Sequence, residues 1–110
     1  MRYTPKQGDI ITINFSPQAG HEYKGRRPAL IISNAEFHKR TNMAMVCPIT
    51  STISGFPTHI TLGERTATKG EIICEQVKCL DIGARDADYK ETAPDDTVER
   101  VIDMICSFIE

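Results

Sequence analysis

The periodicity of the apolar residues changes once along this chain, and that change constrains the fold more than any other feature. From residue 9 to residue 80 the apolar residues form short, β-branched runs separated by turn residues, which is typical of strands. Near the C-terminus they recur at helical spacing and form one apolar face: Val98, Val101, Ile102, Ile105, Phe108 and Ile109. The pattern predicts a mainly β fold, a small, strongly curved barrel with one amphipathic helix packed against it.

Several segments have strand character, and turn residues bound them. The predicted strands are Asp9–Phe15, Ala29–Ser33, Met43–Ile49, Thr58–Leu62 and Glu71–Leu80. Between the second and third strands, Asn34–Arg40 fits one short helical turn with Ser33 or Asn34 as its cap. We expect the sheet to come first and the long helix last.

The terminal helix carries start signals of its own. Thr92 is the predicted N-cap, and Pro94 suits the first turn, where its missing N–H costs nothing. Asp95 and Asp96 complement the positive end of the helix dipole. These residues predict a helix that starts near residue 94.

Length and cysteine usage indicate the class of protein. The 110 residues predict one domain, 1–110, large enough to bury a modest core. The four cysteines have no CxxC pair and lie in apolar runs, which favours free buried thiols in a reducing cytosol over two disulfides. Because no signal peptide or long apolar stretch is present, we expect a soluble, cytoplasmic protein with no membrane partner.

The charge is distributed unevenly along the chain. The formal net charge is −2, which alone argues against nucleic-acid binding. However, residues 1–40 contain seven Lys/Arg and three acids, whereas residues 41–110 contain six and twelve. A polyanion could therefore dock on the N-terminal half, although the excess acids could equally serve only to solvate the C-terminal half.

The segment Gly20–Pro28 concentrates ionisable groups. It holds an imidazole, a carboxylate and three cations between glycines and a proline, directly before a core-like apolar run. Such a loop is unsuited to building a core. It suits catalytic or phosphate-binding groups held on a rigid scaffold.

Four blocks, in order along the chain, resemble one known family. They are Gly8-Asp9-Ile10, Gly20-His21-Glu22 through Arg27-Pro28, Cys47-Pro48-Ile49-Thr50-Ser51 and Cys74-Glu75-Gln76-Val77-Lys78. Together they resemble the MazF/PemK toxins of type II toxin–antitoxin systems. The resemblance implies an SH3-like or CcdB-like barrel and a sequence-specific endoribonuclease that cleaves single-stranded RNA without metal or cofactor. It also implies a homodimer, a cognate antitoxin, and operator DNA bound only indirectly through the antitoxin complex.

The residues of these blocks suit metal-independent RNA cleavage. Such a reaction must deprotonate the 2′-hydroxyl, stabilise charge on the phosphorane and protonate the leaving 5′-oxygen. Glu22 is the candidate base, and Arg27 offers planar, bidentate donors to the phosphate. Thr50 and Ser51 can donate hydroxyl hydrogen bonds, and His21 can act as an acid or a phosphate donor.

Each candidate has a structural alternative. Glu22 and Arg27 could form only a surface ion pair, worth under about 1 kcal/mol. Thr50 and Ser51 could merely end a strand, and His21 could be an exposed loop histidine. The resemblance favours catalysis most for Arg27 and Thr50.

A second set of residues is predicted to bind RNA: Tyr23, Lys24, Arg26, Phe56, Glu75, Gln76 and Lys78. Phe56 is a candidate base reader or, equally, a core residue. Relatives on the PemK branch carry an arginine at the position of Ile73, followed two residues later by an acid. Because Ile73 donates nothing, we expect Arg27 to take most of the electrostatic role. Glu75 and Gln76 are expected to read bases or support the loop. The choice of base between Glu22 and Glu75 stays open.

Other functions are weighed against this prediction. The histidines are dispersed and the cysteines lack zinc spacing, so no metal site is expected. A CcdB-type topoisomerase poison would share the fold but would leave the Glu22, Arg27 and Thr50 set incidental. A non-catalytic barrel that only binds an antitoxin or RNA is the other alternative.

Overall fold

Residues 3–16 and 25–110 are described by a computed structural model of the chain. Within them the strands are β1 (Asp9–Asn14), β2 (Arg26–Ile31), β3 (Ala44–Thr50), β4 (His59–Leu62), β5 (Gly70–Ile73), β6 (Lys78–Leu80) and β7 (Asp88–Thr92). The helices are α1 (Ala35–Thr41) and α2 (Asp95–Ser107), with 3-10 turns at Cys74–Gln76 and Ile82–Arg85. None of the helices in this described part is long and apolar enough to span a membrane.

The seven strands form one antiparallel sheet in the order β4-β5-β3-β2-β1-β7, with β6 also paired to β3. Alternate residues of β1, β2 and β3 enter two different apolar clusters, so both faces of this central part of the sheet are buried. Ile10 and Leu30 pack with helix α2, whereas Ile11 and Ala29 pack on the opposite face. The predicted mainly β fold with a terminal helix is confirmed.

Helix α2 covers one face of the sheet through Val98, Val101 and Ile105, which are buried. The Thr92 cap prediction is wrong, because Thr92 is the last residue of β7. The cap is Pro94, which makes no side-chain cap hydrogen bond. The tight connection between β7 and α2 leaves no room for a separate capping turn.

The last two residues of the predicted apolar face do not belong to α2. Phe108 and Ile109 follow the final helical residue and are 44% and 78% exposed. Once the chain leaves the helix, the helical spacing no longer determines which way these side chains point.

The segment Glu71–Leu80, predicted as one strand, is interrupted by the 3-10 turn Cys74–Gln76. Ile49 of β3 pairs with Ile72, and Val46 of β3 pairs with Lys78. From the first pair to the second, β3 advances by three residues, whereas the segment opposite it advances by six. The extra three residues are the length of the turn. The insertion therefore lifts Glu75 out of the sheet, where its carboxylate is partly exposed.

Local signals predicted α1 well. Asn34 caps it, and its side-chain oxygen accepts a 2.9 Å hydrogen bond from the Phe37 N–H. Strand β7 was not predicted, since its residues are mostly exposed and lack apolar alternation. Strand β2 begins at Arg26, before the predicted start at Ala29, so two arginines belong to the strand.

The four cysteines are free, as predicted, but only two are buried. Cys47 and Cys74 lie in the core beside helix α2, and burial raises the pKa of both thiols, that of Cys74 to about 11. Cys79 and Cys106 are exposed, so the prediction of buried thiols is wrong for them. Cys79 occupies a short strand with an exposed side, and Cys106 the solvent side of α2.

Candidate functional site

Three of the predicted phosphate-binding residues lie where β2 and β3 run side by side. Ala29 of β2 pairs with Pro48 of β3, and Arg27 and Thr50 each lie two residues beyond that pair. Residues two apart on a strand share a face, so Arg27 and Thr50 are on the same face of the sheet. Arg27 is exposed and Thr50 partly so, and the exposed Ser51 follows directly. We call Arg27, Thr50 and Ser51 the strand-end site.

Gly70 allows β5 to run close beside the strand-end site. Its φ is +123°, and a Cβ at this position would lie 1.9 Å from the backbone oxygen of Thr50. Only glycine fits this close approach. The Thr50 hydroxyl oxygen in turn accepts a 3.2 Å hydrogen bond from the Thr52 N–H, which orients it at the strand end.

Beside the strand-end site, a histidine lies between two carboxylates. His59 Nδ1 is 2.8 Å from Glu71 Oε1, and His59 Nε2 is 3.2 Å from Glu75 Oε2. Glu71 pairs directly with Thr50 across β5 and β3, so the two side chains share a face. We call His59, Glu71 and Glu75 the acidic–histidine cluster. It adjoins the strand-end site on the sheet face opposite helix α2.

Glu71 is a buried carboxylate with a full set of donors. It accepts hydrogen bonds from the Ser54 N–H and hydroxyl (3.1 and 3.0 Å), from the Gly55 N–H (2.8 Å) and from His59. The hydrogen bond from His59, followed by that from Gly55, lowers the pKa of Glu71 to about 2. Glu71 therefore stays ionised and ties the loop at residues 54–55 to β5.

The surroundings of the His59 imidazole favour its charged form. Burial lowers its pKa, but the hydrogen bonds to Glu71 and Glu75 outweigh burial, and the net pKa is raised. For Glu75 the two effects have the opposite signs. Burial raises its pKa, but the hydrogen bonds from the Thr58 hydroxyl (2.5 Å) and from His59 outweigh burial, and the net pKa is lowered. Ionised carboxylates accept hydrogen bonds but donate none. Glu71 and Glu75 therefore satisfy both ring nitrogens of His59 when each nitrogen carries a proton. The cluster then carries two negative charges and one positive charge.

Phe56 lies on the surface next to this cluster. Its side chain is 53% exposed, and its ring centroid is 5.2 Å from that of His59. Phe56 is therefore not a core residue, and its role as a base reader stays a prediction. An exposed aromatic face can stack on an unpaired base.

Among the predicted RNA-binding residues that the structure describes, Arg26 points away from the others. Its guanidinium bonds Asp88 Oδ2 at 2.5 Å and the Asp86 carbonyl at 2.7 Å, towards β7. Gln76, in contrast, shares the 3-10 turn of Glu75, and the partly buried Lys78 begins β6 just beyond it. The other predicted residues lie outside the described part of the chain: His21, Glu22, Tyr23 and Lys24.

Sequence reasoning missed His59 and Glu71, although both left a signal. His59 alternates with Ile60 in β4, which places its side chain on the face away from helix α2. Glu71 is a single acid in an otherwise apolar strand, and such an acid needs a buried partner. Among residues 3–16 and 25–110, no group of His, Cys, Asp or Glu side chains is arranged to hold a metal ion.

Comparison with known proteins identifies relatives of this chain. The chain is 34% identical over 96 residues to the endoribonuclease toxin MazF of Escherichia coli K12, covering 86% of each. It is 29% identical over 109 residues to endoribonuclease PemK of Escherichia coli, covering 94% of this chain and 81% of PemK.

Solved structures are similar over nearly the whole chain. The crystal structure of MazF from Deinococcus radiodurans has a TM-score of 0.92 and 35% identity, with 98% of both chains covered. A MazE–MazF crystal structure from the same organism has a TM-score of 0.85 and 34% identity, with 97% of both covered. The family model of the PemK-like, MazF-like toxins matches residues 6–109. The chain therefore belongs to the PemK-like, MazF-like toxin family of type II toxin–antitoxin systems.

Proposed function

We propose that this chain is the toxin of a type II toxin–antitoxin system, a sequence-specific endoribonuclease that cleaves single-stranded mRNA without a metal ion. Cleavage through the 2′-hydroxyl would leave 2′,3′-cyclic phosphate and 5′-hydroxyl ends and would stop translation and growth. The observation that carries the proposal is the strand-end site, with the guanidinium of Arg27 and the hydroxyl of Thr50 on neighbouring strands. The similarity of the chain to proteins named as endoribonucleases supports the activity.

The proposed mechanism assigns one task to each predicted residue. Glu22 takes the proton of the 2′-hydroxyl as that oxygen forms its bond to phosphorus. Arg27 binds the non-bridging phosphate oxygens in a bidentate manner, and the Thr50 and Ser51 hydroxyls donate to the same oxygens. As the bond from phosphorus to the 5′-oxygen breaks, His21 donates a proton to that oxygen.

RNA bases would lie beyond the scissile phosphate, where exposed and polar groups surround the 3-10 turn. Phe56 offers a stacking face, and Glu75 and Gln76 offer groups for base edges. The remaining predicted contacts are Tyr23, Lys24, Arg26 and Lys78. Arg26 would contact only RNA that extends towards β7, where its guanidinium lies.

The proposal includes partners. Structures of MazE–MazF complexes are among those similar to this chain, which supports a cognate antitoxin as partner. We propose that residues 1–110 form one toxin domain that acts in the cytoplasm as a homodimer. In this proposal the antitoxin's flexible acidic segment occupies the RNA groove, and operator DNA is bound only through the toxin–antitoxin complex. RNA and antitoxin should then compete, and simultaneous binding of both to one groove would contradict this.

One experiment tests the activity directly. Purified protein is incubated with a long single-stranded RNA in EDTA, the new ends are mapped, and the assay is repeated with a 2′-deoxy nucleotide at the cut site. We expect discrete cuts with 5′-hydroxyl ends that disappear with the deoxy substrate. Intact RNA would overturn the proposal in favour of a binding-only barrel or a CcdB-type topoisomerase poison, which a gyrase assay would identify.

A further inference from the structure

The acidic–histidine cluster is ordered from the interior to the surface. The exposed fraction of the side chain is 1% for Glu71, 12% for His59 and 37% for Glu75. The innermost carboxylate is immobilised by the loop donors of Ser54 and Gly55. Because these donors hold the Glu71 carboxylate, it sets the position of the imidazole that it binds.

The outermost carboxylate is held at both of its oxygens. Thr58 donates its hydroxyl to Glu75 Oε1, and His59 donates to Glu75 Oε2. Because Glu75 lies in a turn lifted out of the sheet, the sheet alone does not orient its side chain. The orientation comes instead from two residues of neighbouring β4 and its approach, Thr58 and His59.

We propose that His59, anchored by Glu71, is a positioning residue for RNA cleavage: it holds Glu75 towards the bound RNA and supplies the positive charge that makes this acidic site compatible with a phosphate backbone. The inference rests on the proposed function. Two uncompensated carboxylates beside Thr50 would repel the phosphates of RNA. With a charged imidazole between them, the cluster carries a net charge of only one unit.

The role of His59 depends on its proton. The charged groups that face its ring in the described part of the chain are Glu71 from β5 and Glu75 from the 3-10 turn. Helix α2 packs on the other face of β4, against Ile60 and Leu62. Loss of the proton leaves one carboxylate without its donor and removes the positive charge of the ring from the site. Cleavage should therefore decline as the pH rises through the pKa of His59.

The first arm of the test is a histidine NMR titration that does not require activity, with resonances assigned by single His→Gln variants. In wild type the His59 midpoint should lie above the ordinary 6.5. In Glu71→Gln it should fall by about one pH unit or more, because the buried negative charge is lost. A midpoint that is unchanged in Glu71→Gln would overturn the inference.

Glu91→Gln is the matched control for that arm. The Glu91 carboxylate also accepts three loop hydrogen bonds, from the Ala67 N–H, the Thr68 N–H and the Thr68 hydroxyl, at 3.0, 2.7 and 2.7 Å. None of its described partners is a histidine. The variant thus removes the same kind of loop anchor without touching the cluster, and the His59 midpoint should stay at its wild-type value.

The second arm is the pH profile of kcat/KM for RNA cleavage. We expect a decline at alkaline pH with a midpoint equal to that of His59, displaced to lower pH in Glu71→Gln and unmoved in Glu91→Gln. His59→Gln keeps an amide donor but carries no charge. Its kcat/KM should no longer decline at alkaline pH, and the maximum of kcat/KM should be about 10- to 100-fold below that of wild type. Wild-type cleavage with a profile that Glu71→Gln does not move would overturn this inference alone. Absence of cleavage by wild type would overturn the proposed function as well.

Discussion

His59 lies directly opposite Ile73 in the β4–β5 pair, and its ring reaches past that residue to Glu75. The resemblance to the PemK branch drawn from the sequence would imply an arginine at the position of Ile73. In this chain the residue at that position is apolar and 5% exposed, and the neighbouring strand brings a nitrogen donor to Glu75 instead. A donor that is absent from one strand is thus supplied by the next strand of the sheet.

Replacing Arg27 by alanine should abolish most of the RNA cleavage. The guanidinium is the proposed bidentate donor to the phosphate, and loss of such a donor reduces kcat by about 10²- to 10³-fold. Arg27→Lys should restore only part of the activity, because an ammonium cannot match the planar geometry. Initial cleavage rates of a short fluorescent RNA measure the effect.

Arg40→Ala is the control for the loss of one positive charge. Arg40 pairs with Glu36 on the exposed side of α1, at 2.9 Å, and contributes little to stability. Its cleavage rate should remain at the wild-type level. Equal losses in the two arginine variants would indicate a general electrostatic effect and not a phosphate-binding role for Arg27.

Phe56→Ala should weaken RNA binding without unfolding the protein. The ring is exposed and contacts His59, and stacking of one base on an aromatic ring is worth about 1–3 kcal/mol. Fluorescence anisotropy with a 2′-deoxy-blocked RNA measures the dissociation constant. Tyr89→Ala is the matched control, since its side chain is also 53% exposed but lies on β7. Unaltered RNA binding in Phe56→Ala would exclude base stacking at this position.

Gly70→Ala should destabilise the fold by about 2–4 kcal/mol, because it combines a positive φ with a Cβ that overlaps the Thr50 oxygen. Urea denaturation measures the free energy of unfolding. For Gly63→Ala, a Cβ would meet nothing within 4 Å, and the backbone is not in the left-handed region. That variant should be within about 0.5 kcal/mol of wild type. A Gly70→Ala protein as stable as wild type would contradict the close approach.

The acidic–histidine cluster should stabilise the fold over a limited pH range. The depressed pKa of Glu71 gives stability that is present above its unfolded value of 4.5 and is lost as the pH falls through about 2. The raised pKa of His59 gives stability that is present below its unfolded value of 6.5 and is lost as the pH rises through the folded value. The full contribution therefore lies between pH 4.5 and 6.5.

Urea midpoints of wild type and His59→Gln, measured from about pH 3 to about pH 9, test this range. The difference between the two proteins should be largest inside it and should shrink on both sides. A difference that is constant over the whole pH range would show that the ring stabilises the fold by packing alone.

Thiol reactivity should divide the cysteines into two pairs. Cys79 and Cys106 are exposed and should react with Ellman's reagent in the folded protein, whereas Cys47 and Cys74 are buried with raised pKa values and should not. Denaturation should make all four reactive. Four fast-reacting thiols under native conditions would contradict the burial of the second pair.

Local signals in the sequence were sufficient for much of the fold. Alternation identified β1, the helical period identified the buried face of α2, and Asn34 marked the start of α1. Each depends on residues within one or two turns of each other, which is the range over which backbone geometry is determined locally. Strand β7 escaped prediction because its side chains face solvent and carry no such period.

The sequence by itself determined the family motifs, and with them Arg27 and Thr50 as candidate phosphate-binding residues. Only the tertiary structure decided that His59 joins Glu71 and Glu75, although His59 and Glu71 are just 12 residues apart in the chain. Their contact depends on the register between β4 and β5 and on the turn that lifts Glu75 out of the sheet. Register is a property of two paired strands, so neither strand's residues show it when examined alone.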